Sequence, residues 1–387
     1  DSGQGERFVF GVARSEGTST EELVNELQDN PEVMHVQPNY LYYTDQSQNY
    51  ENPGDLYGVF NNNNNAGVRA NVAWQQGYTG QGVIAANIDT GVDIEHPDLR
   101  DNIWENPGEN CDNDRDDDNN GFVDDCYGWD FRDDDNDPRN RAFAHGTHTS
   151  GTTAAARNGN GVVGVAPEVT LMPLKVFGDS GGASTLDIVK AIDYAWENGA
   201  DIINLSLGSP NAVCPTIEYD AIQRAYAAGV FLVASSGNSG PDSPQTPAVC
   251  QYVLAVGATD ENKRVAGFSS SFADMVDGVA PGRNILSTYP GNNFNELNGT
   301  SMAAPHVVGI VALMLDKNPT LAPLTIYEKL CETAEDIGDP GNDTRSGCGF
   351  FSAEKALEAI DAVSDDRECQ LVNGPADMPD IDYYAAP

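Results

Sequence analysis

Between residues 82 and 260 the sequence alternates short, uninterrupted apolar runs with segments whose apolar residues recur at helical spacing. This alternation constrains the fold more than any other feature. The runs GVIAANID, VTLMPLKVF, ADIINLSLG, GVFLVASSG and YVLAVGATD predict strands, and STLDIVKAIDYAWENG and TIEYDAIQRAYAAG predict helices between them. A strand apolar on both faces has to be covered on both, so the expected class is α/β: three layers, a mainly parallel sheet with helices on either side. Open sheets of this kind place their sites beyond the carboxyl ends of the strands.

Charge narrows the partners. Sixty acidic residues against twenty basic ones give a formal net charge of -40 over 387 residues. Such a surface repels nucleic acid and anionic membranes and attracts divalent cations. No stretch of eighteen apolar residues occurs, so no membrane span is expected. Seven cysteines, in neither a CxxC nor a Cys/His zinc pattern, fit disulfides made in an oxidising, extracellular compartment, with at least one left over. The opening DSGQGERFVFGV has no leader pattern and reads as the middle of a longer chain.

Texture divides the chain. Residues 1–45 hold a strand-like FVFGVA, a helix STEELVNELQDN with Ser19 or Thr20 as N-cap, and a second strand in VMHVQPNYLYY. Residues 46–75, Asn- and Gly-rich, read as linker, and 76–363 as the main domain, with an acidic insertion at 105–140. An acidic tail, 364–387, has no assignable role.

Three motifs carry chemistry. IDTGVDIEHPDL sets Asp89 at the end of a strand, HGTHTSG sets His145 at the start of a small-residue helix, and NGTSMAAPHVVGIVALML sets Ser301 at the head of a long apolar helix. A hydroxyl becomes a competent nucleophile when an imidazole takes its proton. The imidazole in turn needs a carboxylate to hold its tautomer. Singly, each residue would be an ordinary cap or turn former; in this order, with these flanks, they resemble the Asp, His and Ser motifs of the subtilase family over residues 80–360. The resemblance implies a serine endopeptidase with a triad of Asp89, His145 and Ser301 and, from SSGNSG, Asn238 as oxyanion donor. It also implies that Ser206, Leu207 and Gly208 pair with the substrate backbone, and that Ala234, Ser235, Ser236 and Gly237 form the other wall of the pocket for the side chain before the cut bond. Small apolar walls would favour a large apolar or aromatic residue there, although the sequence around Gln245 departs from the commonest pattern. His148 and His306 lie inside the motifs and read as structural.

GDSGG at 178–182 spells the serine motif of the chymotrypsin family, but that family is all-β, and here the pentapeptide joins a strand to a helix. Ser180 is therefore expected in a connecting loop.

Within the insertion, DRDDDNNGFVDD offers oxygens at alternate positions around a glycine, a Ca2+ loop without the glutamate that would close a standard EF-hand. Its candidate ligands are Asp116, Asp118, Asn120, Phe122, Asp124 and Asp125. The resemblance implies a second calcium site from Asp98 and the loop residues Ala156, Asn158, Asn160 and Val162. Cys111 with Cys126, Cys214 with Cys250 and Cys331 with Cys348 are the expected pairs, leaving Cys369. Residues 1–45 resemble the second half of the family's propeptide, an intramolecular inhibitor cut off between about Tyr43 and Asn52. The expectation is a monomeric enzyme with polypeptide substrates and no nucleic-acid or membrane partner. A catalytically silent scaffold would be expected to have lost a triad residue, and a processing protease or ligase reading basic residues finds no acidic pocket walls here.

Overall fold

The computed structural model describes residues 13, 19–28, 30, 33, 36–38, 41–44, 47–50, 56–60, 66–140, 143–159 and 161–361. Along the chain come α1 (Thr20–Gln28), β1 (Leu41–Thr44), β2 (Ser47–Tyr50), α2 (Ala70–Gln75), β3 (Ile84–Asp89), β4 (Trp129–Asp130), α3 (His145–Ala154), β5 (Thr170–Lys175) and β6 (Ala183–Ser184). There follow α4 (Thr185–Glu197), β7 (Ile202–Leu205), β8 (Leu207–Pro210), α5 (Thr216–Ala227), β9 (Phe231–Ser235), β10 (Gln245–Thr246) and β11 (Val253–Thr259). The last are β12 (Gly278–Pro281), β13 (Ile285–Tyr289), β14 (Asn293–Asn298), α6 (Thr300–Lys317), α7 (Pro323–Thr333) and α8 (Ala353–Asp361).

Seven strands form one parallel sheet in the order β12-β11-β9-β7-β3-β5-β4. Alternate residues supply two cores. Ala85, Leu171, Ile202 and Val233 face α2, α6 and α8, while Ala86, Met172, Ile203 and Leu232 face α4 and α5. The three layers expected from the doubly apolar strands are present. Strand order reverses between β3 and β7, so the crevice beyond their carboxyl ends is the switch point where such sheets bind ligands.

The helices start where the sequence lets them. Ser184 caps α4 by accepting the Asp187 N–H at 3.2 Å. Ser19, rather than Thr20, caps α1 in a reciprocal box with Glu22: the Glu22 N–H reaches Ser19 Oγ at 3.2 Å, and the Ser19 N–H reaches Glu22 Oε2 at 3.0 Å. Helix α6 is apolar all round and buried from Thr300 to Leu315, as a central helix must be.

One predicted strand divides. ADIINLSLG breaks at Ser206: β7 stays in the large sheet, and β8 leaves to pair with β10 and β1. Disulfides join Cys111 to Cys126, Cys214 to Cys250 and Cys331 to Cys348. Cys369, most of FVFGVA and the tail from 362 lie outside the described residues.

Candidate active site

Asp89 is the last residue of β3 and His145 the first of α3, and both are buried. His145 Nδ1 lies 2.8 and 2.9 Å from the two Asp89 oxygens. The Thr90 N–H donates to Asp89 Oδ1 at 2.6 Å and the Thr149 hydroxyl to Oδ2 at 3.3 Å, so the carboxylate is held from three sides. An ionised Asp only accepts, which puts the imidazole proton on Nδ1 and leaves Nε2 as the basic nitrogen. That Nε2 is buried and has no partner among the described residues.

Ser301 is the second residue of α6, fully buried, with its hydroxyl donated to Ser206 O at 3.1 Å. The Ser206 hydroxyl donates in return to Ser301 O at 3.0 Å. Pro305 explains that second bond: lacking an N–H, it cannot serve the carbonyl four residues before it, and Ser206 satisfies that oxygen instead.

Asn238 follows β9. Its Oδ1 accepts the Thr300 N–H at 3.0 Å and is 3.3 Å from the Thr300 hydroxyl. A backbone N–H can only donate, so the amide's orientation is fixed and Nδ2 faces the other way, buried and without a partner among the described residues. Thr300 Oγ1 also accepts the Gly237 N–H at 2.9 Å, tying the β9 loop to the head of α6.

Leu207 and Gly208 already carry an antiparallel strand. Tyr43 and Thr44 of β1 lie opposite Gly208 and Leu207, while Leu41 and Tyr42 lie opposite Ser184 and Ala183. Three residues beyond Thr44, Ser47 pairs with Asn298 in β14, and Tyr50 pairs with Glu296. β1 thus lies against β8, which follows Ser206, and β2 against β14, which precedes Ser301 in the chain. Gln245 stands between Gly208 and Gly237, which belong to the two segments expected to wall the pocket.

A buried polar network behind the triad escaped the sequence reading. Asn87 Nδ2 reaches Gly146 O, Thr149 Oγ1 and Ser150 Oγ at 3.0–3.1 Å, and Asn204 Nδ2 joins Asn87 Oδ1 at 2.8 Å to Ser206 Oγ at 3.0 Å. The signal was available: both asparagines interrupt apolar strands that are otherwise buried on both faces. His148 Nε2 binds Ile285 O and Asn295 O, and burial pushes its pKa down to about 3. His306 Nδ1 binds Met302 O, and burial takes its pKa down to about 4. Ser180 sits exposed in the turn after β5.

Two loops carry the expected calcium ligands. The loop after α3 wraps buried Asp98: the Val162 N–H donates to Oδ2 at 3.0 Å, Asn158 Nδ2 lies 3.1 Å from Oδ1, and the Ala156 N–H binds Asp98 O at 2.7 Å. A methyl at Gly161 would sit 2.1 Å from Asp98 Oδ2, so the backbone there approaches as only glycine permits. Asn160 lies outside the described residues. In the acidic insertion the oxygens that converge belong to Glu109, Asp118 and Asp125. Asp116 and Asp124 turn instead to neighbouring N–H groups, and Phe122 packs its ring against Trp129, Phe131 and Tyr194. Glu109, in the segment before the predicted loop, was not among the expected ligands. Burial, and then the neighbouring charges of Asp125 and Asp118, raises its pKa, and its Oε2 is buried without a partner among the described residues. An excess of converging negative charge is what a hard cation relieves, so the set of Glu109, Asp118 and Asp125 fits Ca2+, whereas the groups turned toward Asp98 are N–H donors.

A family model described as "Subtilase family" matches residues 80–349. Subtilisin DY of Bacillus licheniformis is 40% identical over 295 residues, which is 75% of this chain and 96% of the relative. M-protease of Shouchella clausii is 42% identical over 291 residues, covering 75% of this chain and 68% of the relative. Subtilisin E of Bacillus subtilis is 32% identical over 351 residues, 90% of this chain and 81% of the relative.

Proposed function

The chain belongs to the subtilase family of serine endopeptidases, and from that premise we propose a secreted, calcium-stabilised enzyme that forms its acyl-enzyme on Ser301. The Ser301 hydroxyl turns from Ser206 O to His145 Nε2, gives up its proton there and attacks the substrate carbonyl. His145 then returns the proton to the leaving amine, while Asp89 holds the imidazolium. Asn238 Nδ2 and the Ser301 N–H receive the oxyanion. The observation that carries this reading is a pair of buried nitrogens without partners among the described residues, His145 Nε2 and Asn238 Nδ2. Unsatisfied buried polar groups are costly, and a proton acceptor and a donor kept that way suit acyl transfer.

Calcium would be held by Asp98 with the Ala156–Val162 loop, and by Glu109, Asp118 and Asp125. It would supply stability by binding the folded chain and no catalytic step. Supporting secretion are the three disulfides. Residues 1–45 are proposed as the remnant of an inhibitory propeptide, because β1 takes the place a substrate strand would take on β8. The first cut would fall between Thr44 and Ser47, inside the expected interval.

The test compares wild type with Ser301→Ala on an unfolded protein substrate and follows the mass of each chain. Loss of the nucleophile should lower kcat on the order of 10⁶-fold, a size known for subtilisin itself, and leave the variant uncut at 44–47. A variant that still processed itself would sink the serine mechanism.

A further inference from the structure

Gln245 joins the two walls beside Ser301. A methyl added at Gly208 would come within 2.4 Å of Gln245 Nε2, and one at Gly237 within 2.4 Å of Gln245 Oε1, so the amide touches both backbones at once. Gln245 Nε2 also donates to Ser235 O at 3.0 Å. The backbone of Gln245 is fixed opposite Pro210 of β8, and the Cys214–Cys250 disulfide closes the loops behind both strands. Gln245 is only 8% exposed. A flat aromatic ring would need the slot between these walls, and the amide fills it.

We infer that Gln245 sets the depth of the pocket for the side chain before the cut bond. It makes the enzyme select short polar residues there, of the size of Thr, Asp or Asn, and exclude aromatic and long aliphatic ones. The inference rests on the endopeptidase reading and names its substrate class. A second, independent observation agrees with it. In the sequence, Thr44, the last residue paired with β8, is followed by Asp45, Gln46 and Ser47, none of them aromatic or aliphatic. The large residues Leu41, Tyr42 and Tyr43 all come earlier, on the strand paired with β6 and β8.

The experiment uses processed wild type and Gln245→Gly on a mixture of peptides differing only at the residue before the intended cut, including Thr, Asp, Asn, Ala, Leu, Phe and Tyr. Products are read by mass spectrometry. Wild type should cut after the short residues with kcat/KM at least ten-fold above that for Phe or Tyr. Gln245→Gly should gain ten-fold or more on Phe, about what pocket shape alone can discriminate. Wild type cutting after Phe or Tyr as fast as after Thr or Asp overturns the inference, whatever the variant does. Should the glycine variant misfold, Gln245→Ser serves the same comparison. Absence of any cleavage by wild type, with no burst on an active-site acylating reagent, would instead remove the endopeptidase reading and this inference with it.

Discussion

Asn238 can point only one way, because Thr300 N–H needs an acceptor and takes Oδ1. Two substitutions follow from that geometry. Asn238→Ala should lower kcat by about 10²–10³, the loss known for a subtilisin oxyanion donor, with KM little changed. Asn238→Asp should fail as badly although it keeps the Thr300 bond, since a second oxygen then faces the oxyanion. Steady-state kinetics with a melting curve for each variant separates this from misfolding; recovery of kcat in the Asp variant would count against the role. At this scale much of the site was legible in the sequence. Asp89, His145, Ser301 and Asn238 sit in extended motifs, and their partners follow from what each group can donate or accept. Asn87 and Asn204 were missed because a polar residue inside an apolar strand was read with its neighbours. The contacts that make those two necessary come from far away in sequence: α3, 59 residues on, for Asn87, and Asn87 itself, 117 residues back, for Asn204.

Helix α6 and the break between β7 and β8 share one exchange of hydrogen bonds between Ser206 and Ser301. Ser206→Ala leaves the Ser301 carbonyl buried without its donor and should cost about 1–3 kcal/mol, measured by denaturant unfolding. An unchanged midpoint would mean that another group serves that oxygen. The same exchange shows why the strand break at Ser206 was illegible: apolar continuity predicts one strand, whereas both bonds Ser206 makes at the break go to Ser301, 95 residues away. At the other edge of the sheet, Asp277 accepts the Ala255 N–H at 2.7 Å and the Tyr327 hydroxyl at 3.1 Å, docking α7. Burial pushes its pKa up to about 7. A raised carboxyl pKa gives stability that is full below the ordinary carboxyl range and lost as pH rises through 7. Asp277→Asn can accept from Ala255 and donate to Tyr327. It should therefore be more stable than wild type at pH 9, by up to a few kcal/mol (~1.4 per pH unit between the two values), and lose that advantage at pH 4. His148, which ties α3 to the β13–β14 hairpin, and His306 within α6 act oppositely. Their lowered values give stability that is full above about 6.5 and lost as pH falls toward 4 and 3. Thermal unfolding of wild type across pH 4 to 9 should therefore decline at both ends; a monotonic curve would contradict these assignments.

The whole molecule carries -40 formal charges on one chain. Their mutual repulsion opposes compactness and is screened by salt, so Tm should rise between 0.01 and 1 M NaCl, as the Debye length falls from about 30 to 3 Å. Millimolar Ca2+ should raise it further at every salt level, and chelation should reverse that gain. A Tm indifferent to chelator would count against both calcium loops. The three-layer class was legible at this scale because doubly apolar strands admit few solutions. The strand Ser47–Tyr50 was not, since residues 46–75 read as linker and this short polar strand gains its pairing from β14 rather than from any pattern of its own. The seating of β1 and β2 has a kinetic consequence. β1 on β8 and β2 on β14 belong to the same chain as Ser301, so under the proposed propeptide role the first peptide bond offered to the nucleophile would come from the same molecule. Maturation should then be first order, with a half-time that a hundred-fold dilution leaves unchanged, and each copy would keep its own clock however few its neighbours.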